Sequence, residues 1–200
     1  MGGCNLSCSW CDSAFTWDSS RYDLSRELAY WPVQEVAEHA LACRPGVVVI
    51  SGGEPLLQQS SGAWTTLLDA LAGHEIGVET NGTIAPTEDT LKRVSWVTVS
   101  PKLSHSGDPA WARINGDVLI RWGQLALEYD IDFSFVIRDI SDVTTIGSLV
   151  SGHGLPAKQV WVTPEGTSAM IVLNRLREVA DAALTAGFNL SARLSALVAD

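Results

Sequence analysis

Short runs rich in β-branched and aromatic residues alternate with amphipathic stretches along most of this chain, and that alternation is its strongest structural constraint. It is the pattern of βα units wound around a parallel sheet. The runs predict strands at Val47–Ser51, Gly77–Thr80, Trp96–Ser100, Val118–Arg121, Phe133–Ile137 and Gln159–Thr163. Between them, apolar residues spaced by three and four predict helices over Pro32–Cys43, Ala63–Ala72, Glu88–Arg93, Ser141–Ser151 and Ser168–Ala186, the last with the clearest stripe. No internal repeat or interdomain linker breaks the pattern. A length of 200 residues with 46% hydrophobic content suits one domain over residues 1–200, with one sizeable core, and excludes a disordered chain.

Several predicted strands end in polar or glycine-rich clusters: Ser51-Gly52-Gly53-Glu54-Pro55, Glu79-Thr80-Asn81-Gly82, Ser100-Pro101-Lys102 and Thr163-Pro164-Glu165-Gly166. In a parallel α/β barrel the carboxyl ends of the strands share one face. Four such clusters arriving there predict one composite site, although each alone is compatible with ordinary turn chemistry.

The cysteines say what such a site can do. Cys4, Cys8 and Cys11 are separated by three and then two residues, so one short loop can present three thiolates to adjacent irons of a cubane cluster, leaving the fourth iron open for a small molecule. Structural zinc sites take four ligands, commonly from paired cysteine motifs, and no second pair exists here. His39, His74, His105 and His153 show no metal spacing and are assigned to surface or packing roles, and Cys43, alone in a helical stretch, to core packing. Thiols crowded at one end of a reduced cytosolic chain are more often metal ligands or catalytic groups than disulfide bridges. A formal charge of -10, with no run of Lys or Arg, argues against nucleic acid and anionic membranes as partners. No apolar stretch reaches the length of a membrane span, and a cytoplasmic location is expected.

The motif Cys-x-x-x-Cys-x-x-Cys followed by Gly52-Gly53-Glu54-Pro55 resembles the radical S-adenosylmethionine (SAM) superfamily. The resemblance implies a partial, incomplete TIM-like βα barrel with parallel strands, a 4Fe-4S cluster on the three cysteines, and SAM chelated at the open iron. Reductive cleavage of SAM then yields a 5'-deoxyadenosyl radical that removes hydrogen from an unreactive carbon. A sharper resemblance, carried by Gly3 to Ser13 with Glu79-Thr80-Asn81-Gly82 and Ser100-Pro101-Lys102, is to the 7-carboxy-7-deazaguanine synthase family. It implies a lyase that contracts 6-carboxy-5,6,7,8-tetrahydropterin to 7-carboxy-7-deazaguanine with loss of ammonia, toward queuosine and related deazapurines, including those of tRNA modification.

Carried over by position, Cys4, Cys8 and Cys11 hold the cluster. Trp10, Cys11, Asp12, Gly53, Ser100, Pro101, Lys102, Thr163, Pro164, Glu165 and Gly166 line the SAM site. Ser51 touches the pterin, and Ser13, where the family usually has Thr, supplies an oxygen to Mg2+ beside the substrate carboxylate. A homodimer and an external electron donor such as a flavodoxin are implied with them. Two departures stand out. The family's first strand and its Gln-Gly-Glu-Gly substrate loop have no counterpart, which places them upstream of residue 1, and Ser195 stands where the family tends to have a substrate-contacting His. The competing readings are a glycyl-radical activating enzyme, which shares the cysteine spacing but not Asp12-Ser13 or Ser100-Pro101-Lys102, and a truncated or degenerate cluster-binding relative without catalysis.

Overall fold

A computed structural model describes residues 1–198. Six strands form one sheet: β1 (Val47–Ile50), β2 (Glu75–Thr80), β3 (Trp96–Val99), β4 (Ile131–Ile137), β5 (Val160–Pro164) and β6 (Asn189–Leu190). The helices are α1 (Leu24–Glu27), α2 (Val33–Ala42), α3 (Gly62–Ala70), α4 (Glu88–Leu91), α5 (Ala110–Arg113), α6 (Gly116–Leu125), α7 (Ile140–His153), α8 (Ala169–Thr185) and α9 (Leu194–Val198). The spatial order of the strands is their sequence order, and every pairing is parallel, from Val47 opposite Glu75 in the first pair to Trp161 opposite Asn189 in the last. An unswitched order of this kind is that of a βα barrel. Among the described residues β1 and β6 are the free edges, so the barrel is open.

The core lies between sheet and helices. Along β4, Ile131, Phe133, Phe135 and Ile137 are fully buried while the intervening Asp132, Ser134 and Val136 are only partly so. With a side-chain period of two, the first set faces one way and the second the other. The buried set shares a cluster with Trp64 of α3, Trp122 of α6, Ile146 of α7 and Val179 of α8, which identifies the helix-covered face. The alternate positions therefore line the concave interior.

The expected run Val118–Arg121 is not a strand. It lies within α6, whose start is capped by Asn115, its side chain accepting from the Val118 amide. Leu119, Trp122 and Leu125 are buried at helical spacing while Ile120 between them is 40% exposed. β6 is only two residues long, too short to carry a sequence pattern. Cys43 is also not a core residue: it is the exposed C-cap of α2, its Sγ within 3.9 Å of the His39 carbonyl. Among the described residues no helix is long and apolar enough to cross a membrane.

Candidate active site

Parallel strands deliver their carboxyl ends to one edge, and the loop carrying the three cysteines is laced to that edge. The Met1 amino group donates to the Ser51 carbonyl at 2.7 Å, Gly53 N–H to the Met1 carbonyl at 2.8 Å, and Glu54 N–H to the Gly3 carbonyl at 2.8 Å. This approach leaves no room for a side chain at Gly53, whose Cβ would fall 1.9 Å from the Gly3 carbonyl oxygen, while Gly52 takes φ of 127°.

Glu54, fully buried, then ties β1 to β2. Its Oε1 accepts from Leu56 N–H and the Thr80 hydroxyl, and its Oε2 from Asn81 N–H at 2.7 Å. Burial raises its pKa, and these three donors oppose the rise. Asn81 in turn donates to Asn5 Oδ1 at 2.8 Å, with its amide 3.9 Å from Cys4 Sγ, and Asn5 donates to Thr83. The first cysteine is thus held by a closed set of side-chain amides.

All three cysteines carry free thiols, with Cys8 buried and Cys4 and Cys11 half-buried. Burial pushes the Cys8 thiol up to about 12, which Lys102 opposes and Asp108 reinforces. Burial also raises Cys4, opposed by the Leu6 amide donating to its sulfur. Such thiols ionise readily only beside added positive charge, as iron supplies. Lys102 Nζ donates to Ser100 Oγ at 2.8 Å and sits 5.6 Å from the centre of the Trp10 ring; its own pKa is pulled down by burial, against the pull of Cys8, Cys4, Cys11 and Glu54. Arg113 fixes the Lys102 backbone through its carbonyl.

The second half of the cysteine loop leans on β3, β4 and the far end of the chain. Ser9 N–H donates to the Ser106 carbonyl, and Trp10 Nε1 to His105 Nδ1 at 3.0 Å. That assignment makes His105 Nε2 a donor, and it lies 3.1 Å from the Val136 carbonyl and 3.5 Å from Asp142 Oδ2. Trp17 Nε1 donates to Cys11 Sγ at 3.4 Å. Asp12 accepts from the Ser13 hydroxyl at 3.0 Å and from Arg193. Beyond these lies a cavity of about 400 Å³ lined by Trp10, Cys11, Asp12, Glu165, Gly166, Thr167, Arg193 and Ala196. A second, more open groove of about 720 Å³ lies between α7 and α8, with Asp181 as its one charged lining residue.

Of the residues singled out from sequence, Trp10, Cys11, Asp12, Glu165 and Gly166 therefore share a cavity, with Ser13 bonded at its rim. Cys4, Cys8, Gly53, Ser100 and Lys102 form the network behind it, Pro101 is buried beside Lys102, and Thr163 and Pro164 end β5. Ser51 is set apart, donating to Glu79 Oε2 at 2.8 Å. Asn81 belongs to one of the strand-end clusters, and Trp17, like Trp10, is an aromatic that the sequence leaves open between shielding a cluster and packing, whereas His105 and Arg193 carry no local signal of a site role. The side chain of Ser195 lies outside the described residues.

The donor set suits a cubane cluster. Among the described residues no three His, Cys, Asp or Glu side chains converge as a cage for one ion, and a cubane does not ask for one, since each thiolate takes its own iron. An open parallel βα barrel with three such thiols at the carboxyl ends of its strands defines a radical SAM core, and the family model described as the Radical SAM superfamily matches residues 1–106. The 7-carboxy-7-deazaguanine synthase of Pyrobaculum aerophilum is 31% identical over 196 residues, covering 97% of this chain and 81% of that protein. The synthase of Halobacterium salinarum is 35% identical over 221 residues, covering 96% and 78%. The chain belongs to the 7-carboxy-7-deazaguanine synthase family, whose superfamily works with SAM and a 4Fe-4S cluster. The crystal structure of QueE from Escherichia coli shares the fold at a TM-score of 0.61 and 22% identity, covering 96% of this chain and 82% of that one.

Proposed function

We propose that this chain, acting as one domain, converts 6-carboxy-5,6,7,8-tetrahydropterin to 7-carboxy-7-deazaguanine and ammonia. Loss of ammonia accounts for the whole difference between substrate and product, so the reaction is redox-neutral and SAM can be returned at each cycle. The cluster and SAM, when bound, supply a radical able to remove hydrogen from an unreactive carbon. The chain's own residues hold and orient. Cys4, Cys8 and Cys11 are the cluster ligands. Gly53, with no side chain, and Ser100 to Lys102 border the SAM site, and Lys102 sets a cation among the thiolates. Trp10 to Asp12 and Thr163 to Gly166 complete it from opposite sides.

Ser51, already bonded to Glu79, contacts the pterin, and Ser13 offers a neutral oxygen to Mg2+ next to the Asp12 carboxylate. A homodimer in the cytoplasm, reduced by a flavodoxin-type donor and serving queuosine-type deazapurine synthesis, completes the reading. The observation that carries it is the presentation of three free thiols, one buried and two half-buried, on one loop at the strand ends beside the half-buried Lys102.

The test is anaerobic reconstitution with iron and sulfide, followed by dithionite, SAM, Mg2+ and the pterin. Formation of the deazaguanine, abolished in Cys4→Ala, Cys8→Ala and Cys11→Ala, is expected. An intact cluster with no product from the unaltered chain would overturn the assignment.

A further inference from the structure

After Cys11 the chain makes one tight return. Thr16 donates from both its amide and its hydroxyl to the Ser13 carbonyl, Trp17 N–H to the Ala14 carbonyl, and Gly3 N–H to the Thr16 carbonyl. Ala14 and Thr16 are buried, so the return is anchored on the cysteine loop itself. Its effect is to bring the half-buried Trp17 back over the loop, with Nε1–H directed at Cys11 Sγ at 3.4 Å. The Cys4 sulfur has a backbone donor, Leu6 N–H at 3.5 Å, and the more distant Asn81 amide at 3.9 Å. The donor at Cys11 is a side chain.

We infer that Trp17, through this N–H···S bond, holds the reduction potential of the cluster above the value that Cys11 ligation without a donor would give. The inference rests on the reading of Cys4, Cys8 and Cys11 as cluster ligands. One-electron reduction adds negative charge that is shared with the thiolate sulfurs, so a hydrogen bond to sulfur is stronger in the reduced state and favours it. The indole ring acts with the opposite sign. By excluding water it withholds solvation from the more highly charged reduced form. Removing the N–H while keeping the ring separates the two effects.

The experiment is an anaerobic potentiometric titration of the reconstituted protein, followed by the electron paramagnetic resonance of the reduced cluster, with no substrate present. Three variants are compared at equal iron and sulfide content: Trp17→Phe, Trp17→His, and Trp17→β-(3-benzothienyl)alanine introduced at that site alone, which replaces N–H by sulfur in a ring of nearly the same shape. The midpoint is expected to fall in the benzothienyl variant, and by less in Trp17→Phe, whose smaller ring also readmits water. The ratio of reduced to oxidised mediator needed for half-reduction should rise roughly threefold, a shift of about 28 mV for a one-electron couple. Histidine, which keeps an N–H, should recover part of the shift.

An unchanged or raised midpoint in the benzothienyl variant overturns the inference and leaves Trp17 as a cover against water. Should Trp17→Phe fail to assemble its cluster, the isosteric variant still decides. Absence of a four-iron signal from the unaltered chain would instead overturn the cysteine reading, and this inference with it.

Discussion

Glu54 shows how one residue can carry the geometry of several. Its three hydrogen bonds all come from donors, and a carboxylate is the group that accepts from all three without conflict. Glu54→Gln keeps the shape but turns an NH2 toward at least one of those donors. With the site buried, the mispaired group should cost about 1–3 kcal/mol in urea unfolding of the apoprotein. The sign with pH is also fixed. The folded-state pKa is raised above the ordinary glutamate value of 4.5, so the stability tied to Glu54 protonation is complete below that value and is lost as pH rises through the raised one. The margin of the unaltered protein over Glu54→Gln should therefore narrow with rising pH, and a margin that widens would contradict the assignment. Other site residues were hidden from sequence by distance. His105 meets Trp10 across 95 positions, and Arg193 meets Asp12 across 181, with nothing local to either partner to announce the pair.

At the scale of elements, two helices are anchored by fully buried tryptophans that differ in one respect. Trp64 of α3 donates its Nε1–H to Thr90 Oγ1 at 2.9 Å, whereas Trp122 of α6 has no partner for its Nε1–H among the described residues. Replacement by Phe removes a similar volume from each, but only Trp64→Phe breaks a buried hydrogen bond. Trp64→Phe should be the more destabilising by about 1 kcal/mol in paired denaturant titrations, and equal losses would contradict the difference. The same helix shows where sequence reading stops. Parallel strands such as β1, β3 and β5 announce themselves as short apolar runs, and Val118–Arg121 has that appearance too. What separates it is the helix-start signal of Asn115 and the spacing of Leu119, Trp122 and Leu125, visible only in a longer window. The composite site was legible because glycine, proline and polar residues cluster at strand ends. Its bracing was not, because β6 is too short to carry a pattern and the contacts of the cysteine loop are made by residues read as plain loop, such as His105 and Ser106.

For the whole molecule, the consequence is that the first and last parts of the chain close one cavity. β6 pairs with β5, α9 packs on α8, and Arg193 between them reaches back to Asp12, next to Cys11. Asp12 is 68% exposed at its side chain, and a pair of that kind adds only about 0–1 kcal/mol to folding. Its value lies instead in position, since Trp10, Cys11 and Asp12 from the first part of the chain and Arg193 and Ala196 from the last all line the cavity. Arg193→Gln should accordingly leave the unfolding midpoint nearly unchanged while speeding hydrogen exchange in residues 191–198. With the cavity as the SAM site proposed above, it should also weaken SAM binding roughly fivefold, about 1 kcal/mol, because Asp12 and its neighbours are no longer held in place. Calorimetry with SAM on the reconstituted protein, alongside exchange mass spectrometry, separates this from a merely structural role. A variant that loses global stability but keeps its SAM affinity would mean that the ion pair braces the fold and leaves the cavity untouched.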